Sequence, residues 1–378
     1  DTSIKRYYYK YKLKPSTPLD FKHSIETLSS KNIDWFFNNY VQKRSTIDFK
    51  IKKTIKRADS TDVIIINKRD NILPVSITGN SKDGTLLFKK WSAPIDGIGI
   101  VTVPSKGLKR LELNKQGYIT EYNRANNIKT FGSVFNRPLQ LRLFKDVQDH
   151  RFNQMFFMPV FKYNLYDGLT TGLKLYNKTI LPKGVHYKLE PQYGFTSKTL
   201  IGSASVQYTN QFEQGKLRSI RYGFYGNYFS YDTGLFYKRF TPFMTFTFSN
   251  QDIRNNEKQF ISLRNVTVSR DANPNNPQQD PNYSVFNASY VYSNPNLINY
   301  YRSVVDYQIS GKFSKIALTF DYRKLFENNR QLNVRLFGGA FLFNNTKQSD
   351  DFFSFALDRP TDYLFDYLSL IHISEPTR

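Results

Sequence analysis

Over much of the chain apolar and polar residues alternate with a period of two, the pattern of strands with one apolar and one polar face. In 199–209, Leu200, Gly202, Ala204, Val206 and Tyr208 share one face, and Ser203, Ser205, Gln207 and Thr209 the other. In 311–322, Ile316, Leu318, Phe320 and Tyr322 stand opposite Lys315, Thr319 and Asp321. In 332–342, Leu332, Val334, Leu336, Ala340 and Leu342 oppose Asn333 and Arg335, and 282–292 gathers Phe286, Ala288, Tyr290 and Tyr292. Segments of about ten residues suit a tilted barrel strand crossing a bilayer. The expected fold is mainly β: a short helical segment, a small β-sandwich, then an incomplete transmembrane β-barrel over 138–367. The side chains expected to face lipid are Leu200, Ala204, Val206, Phe286, Tyr290, Ile316, Leu318, Phe320, Val334 and Leu336.

Residues 1–44 read instead as helical. Pro15-Ser16-Thr17-Pro18 interrupts the chain, with Thr17 as a helix cap, Pro18 at the first position and Asp20 in the first turn. Phe21, Ile25 and Leu28 follow at helical spacing, and a second short helix is predicted from Asp34 as its cap, carrying Trp35, Phe36, Tyr40 and Val41. Over 45–115, six short segments rich in branched residues (47–51, 63–67, 73–78, 86–90, 98–103 and 108–113) predict the sandwich. The polar stretch 116–137 reads as a linker.

The connections of the later region alternate in character. Asp167-Gly168 and Gln214-Gly215 read as tight turns and 270–281, with three prolines, as a long loop. The expectation is short turns at one end and long loops at the other. Tyr163, Tyr166, Tyr176, Tyr222, Tyr225, Tyr228, Tyr300 and Tyr301 are expected near strand ends as interfacial girdles.

Composition strengthens the membrane reading. Aromatics make up 16% of residues, heavy for a soluble domain. No apolar run approaches the roughly 20 residues of a membrane helix, so entry into a membrane requires a closed barrel. Cysteine is absent, which removes disulfides, thiolate metal sites and a cysteine nucleophile. The formal charge of +23 alone suggests nucleic acid or an anionic surface. The cations recur along the whole chain, however, and fit loops and a barrel lumen better; no nucleic-acid partner is expected.

The chemistry-bearing residues are sparse. His23, His150, His186 and His372 are the only histidines, and no His-Glu-x-x-His occurs. His23 and Glu26 stand one helical turn apart, a pair that lacks a third metal ligand and reads as a surface feature. His186 alternates with Lys188, Glu190 and Gln192 and is expected to face a wet lumen. Asp350-Asp351 reads as part of a polar turn. Glycine-rich phosphate loops, dinucleotide fingerprints and nucleophile elbows are absent.

The front does resemble a known family. Residues 8–14, then Thr17-Pro18-Leu19-Asp20-Phe21, then Ile33-Asp34-Trp35-Phe36-Phe37-Asn38-Asn39-Tyr40-Val41, look like the end of the catalytic domain in zinc aminopeptidases of the membrane alanyl aminopeptidase family (gluzincin clan). Asn38 and Tyr40 stand where that family more often has Asp and Trp. The family's order of helices followed by a β-sandwich is also expected here. Its exopeptidase motif, zinc helix and downstream glutamate have no counterpart in this sequence, so the resemblance implies zinc and a peptide substrate for a longer parent and transfers no catalytic or metal residue. Residues 156–193, with the turn Tyr163-Asn164-Leu165-Tyr166-Asp167-Gly168, resemble surface-antigen-type outer-membrane barrels fused behind such peptidases in Bacteroidetes-type bacteria.

Both ends are expected to be artificial boundaries. Asp1 opens the chain without a methionine or signal peptide and reads as internal to a longer protein. Residues 368–378 resemble a translated transposon-end sequencing adapter, so native sequence is expected to stop near Tyr367. The resulting expectation is a non-catalytic C-terminal fragment of a membrane-tethered zinc metallopeptidase, anchored by its barrel and in contact with outer-membrane lipid. The alternative is a transport or assembly barrel with an inactive peptidase-like front.

Overall fold

The computed structural model describes residues 2–27, 33–41, 46–144, 147–179, 184–212, 215–250, 255–275 and 282–345. The expectations for Asp350-Asp351 and 368–378, including His372, lie outside these residues, as do Gln214 and part of the loop 270–281. The fold is mainly β, with 59% of residues in strands and 8% in helices. The chain divides into two compact units, Asp1–Gln140 with Asp149–Asn153, and Leu141–Gln148 with Gln154–Arg378.

The first unit opens with α1 (Thr2–Tyr11), α2 (Pro18–Glu26) and α3 (Asp34–Phe36), the last widening into a π-turn over Phe37–Val41. A reciprocal capping box starts α2: the Asp20 amide donates to the Thr17 hydroxyl at 3.3 Å, and the Asp20 carboxylate accepts from the Thr17 amide at 2.8 Å. Asp34 is not the cap expected of it. Ile33 holds that position without a side-chain bond, and Asp34, the first helical residue, accepts from Lys22 Nζ at 2.6 Å. Here an ion pair wins over capping.

Two antiparallel sheets follow. One orders β1 (Phe49–Lys56), β2 (Ser60–Asn67) and β5 (Ile98–Pro104) as β1-β2-β5. The other orders β3 (Ser76–Asn80), β4 (Leu86–Trp91), β6 (Arg110–Leu113) and β7 (Ile128–Thr130) as β4-β3-β6-β7. Phe49, Val63, Ile65 and Val103 of the first sheet and Ile77, Leu111 and Leu113 of the second share one buried core, as a sandwich requires. The span 116–137 is not a plain linker. It supplies β7, buries Ile119 and Ile128, and returns Glu121 and Asn127 to the sandwich. Its polarity hid this, because the buried groups satisfy one another by hydrogen bonds.

In the second sheet system, β8 (Leu139–Leu143), β9 (Asn153–Asn164), β10 (Gly168–Tyr176), β11 (Val185–Gly194), β12 (Thr199–Gln211) and β13 (Leu217–Asp232) come first. Then come β14 (Leu235–Phe248), β15 (Lys258–Arg270), β16 (Tyr283–Pro295), β17 (Asn299–Ile309), β18 (Phe313–Leu325) and β19 (Gln331–Asn344). These twelve strands are hydrogen-bonded strictly in chain order. The loop-length expectation fails. The connection 271–282 lies at the same end as the turn at Asp167-Gly168, while 212–216, with Gly215, lies at the other end beside the longer 177–184 and 249–257. A meander sends alternate connections to alternate ends whatever their length.

Candidate functional site

Facing partners in an antiparallel pair lie on the same side of a sheet, so the register assigns every side chain to a face. Across β11 to β19 one row reads Val185, Tyr208, Tyr222, Met244, Leu263, Ala288, Tyr307, Ile316, Ala340. Every member is apolar or aromatic. The next row, one residue along each strand and therefore on the opposite face, reads His186, Gln207, Gly223, Phe243, Arg264, Asn287, Gln308, Lys315, Phe341. It is predominantly polar.

Burial inverts the order of a soluble protein, in which apolar side chains go inside. On the apolar face Phe161 is 69% exposed, Leu200 67% and Leu318 51%. On the polar face Asn287, Gln308 and Lys315 are 2%, 3% and 4% exposed. The register places Leu200, Ala204, Val206, Phe286, Tyr290, Ile316, Leu318, Phe320, Val334 and Leu336 together on the apolar face. Ala204, Val206 and Phe320 are half-buried there and the others exposed. The tyrosines divide: Tyr163, Tyr222, Tyr228 and Tyr301 share the apolar face, but Tyr176, Tyr225 and Tyr300 turn to the polar one. Tyr225 stacks there on Phe243, with ring centroids 4.9 Å apart. A uniform girdle is therefore not what these tyrosines form; strand parity, which proximity to a strand end does not reveal, decides their side.

The polar face carries a bonded network. The buried Glu190 carboxylate sits among Lys188 at 3.0 Å, Lys162 at 3.5 Å and Lys174 at 3.8 Å, and accepts from the Ser203 hydroxyl at 3.2 Å. Three partly exposed cations around one buried acid compensate its charge. Farther along, Arg264 Nε donates to Asn287 Oδ1 at 3.1 Å, and Asn287 Nδ2 donates to Asp306 at 2.8 Å. At the turn after β9, the fully buried Asp167 accepts from the Ser230 hydroxyl at 2.5 Å, the Ser230 amide at 3.1 Å and Asn164 Nδ2 at 2.6 Å. This ties β13 to a hairpin three strands away. The sequence offers a partial signal for Glu190, since Lys188 shares its face at i−2. It offers none for Ser230, 63 residues from Asp167.

The described histidines sit on different elements. His23, on α2, lies 3.8 Å from Glu26 with its side chain 85% exposed; His150 occupies a turn; His186 shares the polar face with Lys188 and Glu190. Among the described residues no three His, Cys, Asp or Glu side chains gather as metal ligands. A catalytic zinc takes about three protein ligands and an open position, and no zinc-dependent step is assigned to the described residues. The arrangement can present hydrocarbon-compatible surface on one side and cation-rich, hydrogen-bonded surface on the other. No protein-family model, no curated protein and no solved structure matches this chain.

Proposed function

We propose that the second unit is a membrane-spanning β-barrel that anchors a zinc-metallopeptidase-like front in a bacterial outer membrane. The observation that carries the barrel reading is the inverted burial: apolar side chains exposed on one face, polar ones buried on the other. Water would penalise that exposed face at about 25 cal/mol per Å2, whereas lipid solvates it. The polar face is buried although no helix or second sheet of this unit covers it among the described residues, as expected of a sheet turned in on itself. The peptidase reading rests on the resemblance of residues 8–41 and on the order of helices then sandwich. In this reading the chain is the non-catalytic, barrel-bearing part; zinc and the peptide substrate belong to sequence preceding it.

The barrel is tested by adding the refolded chain, completed with its native C-terminal coding sequence, to lipid vesicles and following protease protection together with the heat-dependent shift in electrophoretic mobility that intact barrels give. Protection of 154–345 is expected, and cleavage throughout that region at the rate seen in lipid-free solution would refute it. The peptidase half is tested by joining the chain to its upstream coding region. Stoichiometric zinc and chelator-sensitive release of N-terminal residues are expected; an upstream region without a zinc helix leaves the transport or assembly alternative.

A further inference from the structure

We propose that the sandwich of the first unit carries a binding cleft for a phosphate-rich anion. The cleft has a volume of about 620 Å3 and lies between the β3–β4 turn, the start of β6 and the segment 133–138. Six cations line it, Lys82, Lys109, Arg110, Lys115, Arg137 and Arg151, against a single carboxylate, Glu112.

The arginines are already committed. Arg110 lies 3.8 Å from the buried Glu112, Arg151 pairs with Asp149 at 2.8 Å, and Arg137 donates to the carbonyls of His150 at 3.2 Å and Phe152 at 2.9 Å. Lys82 and Lys109 have no acidic partner among the described residues, and Lys115 meets only the neutral Asn80 Oδ1 at 3.1 Å. Their charge is uncompensated within a partly walled space, which focuses positive potential there and concentrates multivalent anions. Lysine ammoniums serve phosphate as point charges and need no bidentate geometry. Asn80, Ser81, Thr130, Ser133 and Asn136 add neutral hydrogen-bonding groups around the same walls. A ligand with several phosphate charges in one compact group matches both the charge and the volume. Such a group occurs on a phospholipid head or as a free oligophosphate.

This cleft lies wholly in the first unit and does not depend on the barrel. The test uses the full chain in neutral detergent micelles, titrated with tripolyphosphate by calorimetry. Saturable binding is expected, weakened at least about tenfold in K82Q/K109Q/K115Q. The matched variant K50Q/K52Q/K53Q on β1, which removes the same charge from the other sheet, should stay within about twofold. Displacement of tripolyphosphate by micelles doped with phosphatidylinositol bisphosphate, whose head carries several phosphates, would identify a lipid head as the source, and resistance to displacement a free oligophosphate. Absence of saturable binding, or equal weakening by both triple variants, would overturn the proposal, since the second result is what diffuse attraction to a +23 chain gives.

Discussion

The two units use the same local pattern, alternating strands, to opposite ends. In the sandwich, apolar positions converge: Phe49, Val63, Ile65, Leu73 and Ile77 have no exposed surface. In the twelve-stranded sheet one apolar face is exposed, and the opposite face buries amides and carboxylates beside a smaller apolar cluster that includes Val266, Val268, Val285 and Phe313. A period of two fixes which residues share a face, but not which face is wet. That second decision is not local: Glu121 of the sandwich and Asp167 of the larger sheet both accept hydrogen bonds from residues more than sixty positions away.

The sharpest way to break this contrast is truncation on each apolar set. Phe49→Ala should destabilise the first unit by about 3–5 kcal/mol, since both the ring's burial and its filled volume are lost. Urea unfolding followed by tryptophan fluorescence reads this unit alone, because Trp35 and Trp91 are the only tryptophans and both lie in it. Leu318→Ala should leave that signal unchanged. If Phe49→Ala cost no more than a surface substitution, the sandwich core would be misassigned.

Charge insertion gives the next largest effect. Arginine at Val206 or Leu318 should cost roughly 2–4 kcal/mol for vesicle-embedded protein when the site lies near the bilayer midplane. Arginine at the adjacent Ser205 or Thr319 should cost much less. Equal tolerance on the two faces, measured by denaturant titration in vesicles, would make the sheet a soluble one.

A third test concerns a half-buried acid in the sandwich. Glu121 accepts hydrogen bonds from Asn114 and Asn127 Nδ2, both at 2.8 Å, and from the Phe49 amide at 3.0 Å. Burial nonetheless outweighs these bonds and pushes its carboxyl up to about 7. The folded state therefore holds this proton more tightly than the unfolded chain. Its contribution is fully present at acid pH, declines as pH rises from the ordinary glutamate range toward 7, and is constant above that. The decline should be on the order of 3 kcal/mol or less, and Glu121→Gln should flatten it. A wild-type stability that instead rises over that interval, with Glu121→Gln having the same slope, would remove Glu121 as the cause. The smallest expected effect is at the α2 cap, where Thr17→Ala should cost about 1 kcal/mol in the same fluorescence assay; a cost near zero would mean that Asp20 alone suffices.

Much of this was legible in the sequence because strand alternation is local. The parity of Val206 against Ser205, or of Leu318 against Thr319, needs no knowledge of neighbours. What escaped was what depends on neighbours. β7 has three residues and follows an asparagine-rich stretch, so no periodicity could announce it. The distribution of tyrosines between faces follows from register, and the ends of the connections from counting every strand. The cationic cleft draws on residues near 82, 109–115, 137 and 151, and an even spread of lysine and arginine along a sequence conceals such a gathering.

The strict chain-order pairing of β8 to β19 also bears on how this part is made. In the sandwich, β2 must find β5 and β3 must find β6 across intervening strands, so part of its hydrogen bonding waits for distant segments. In the meander every strand's partners are its neighbours in sequence. Each step closes only a short loop, at a small entropic cost. Such a sheet can be assembled one hairpin at a time, in either direction. Contact order, low in one unit and higher in the other, thus predicts that the larger sheet forms by extension and the smaller one by a single cooperative closure.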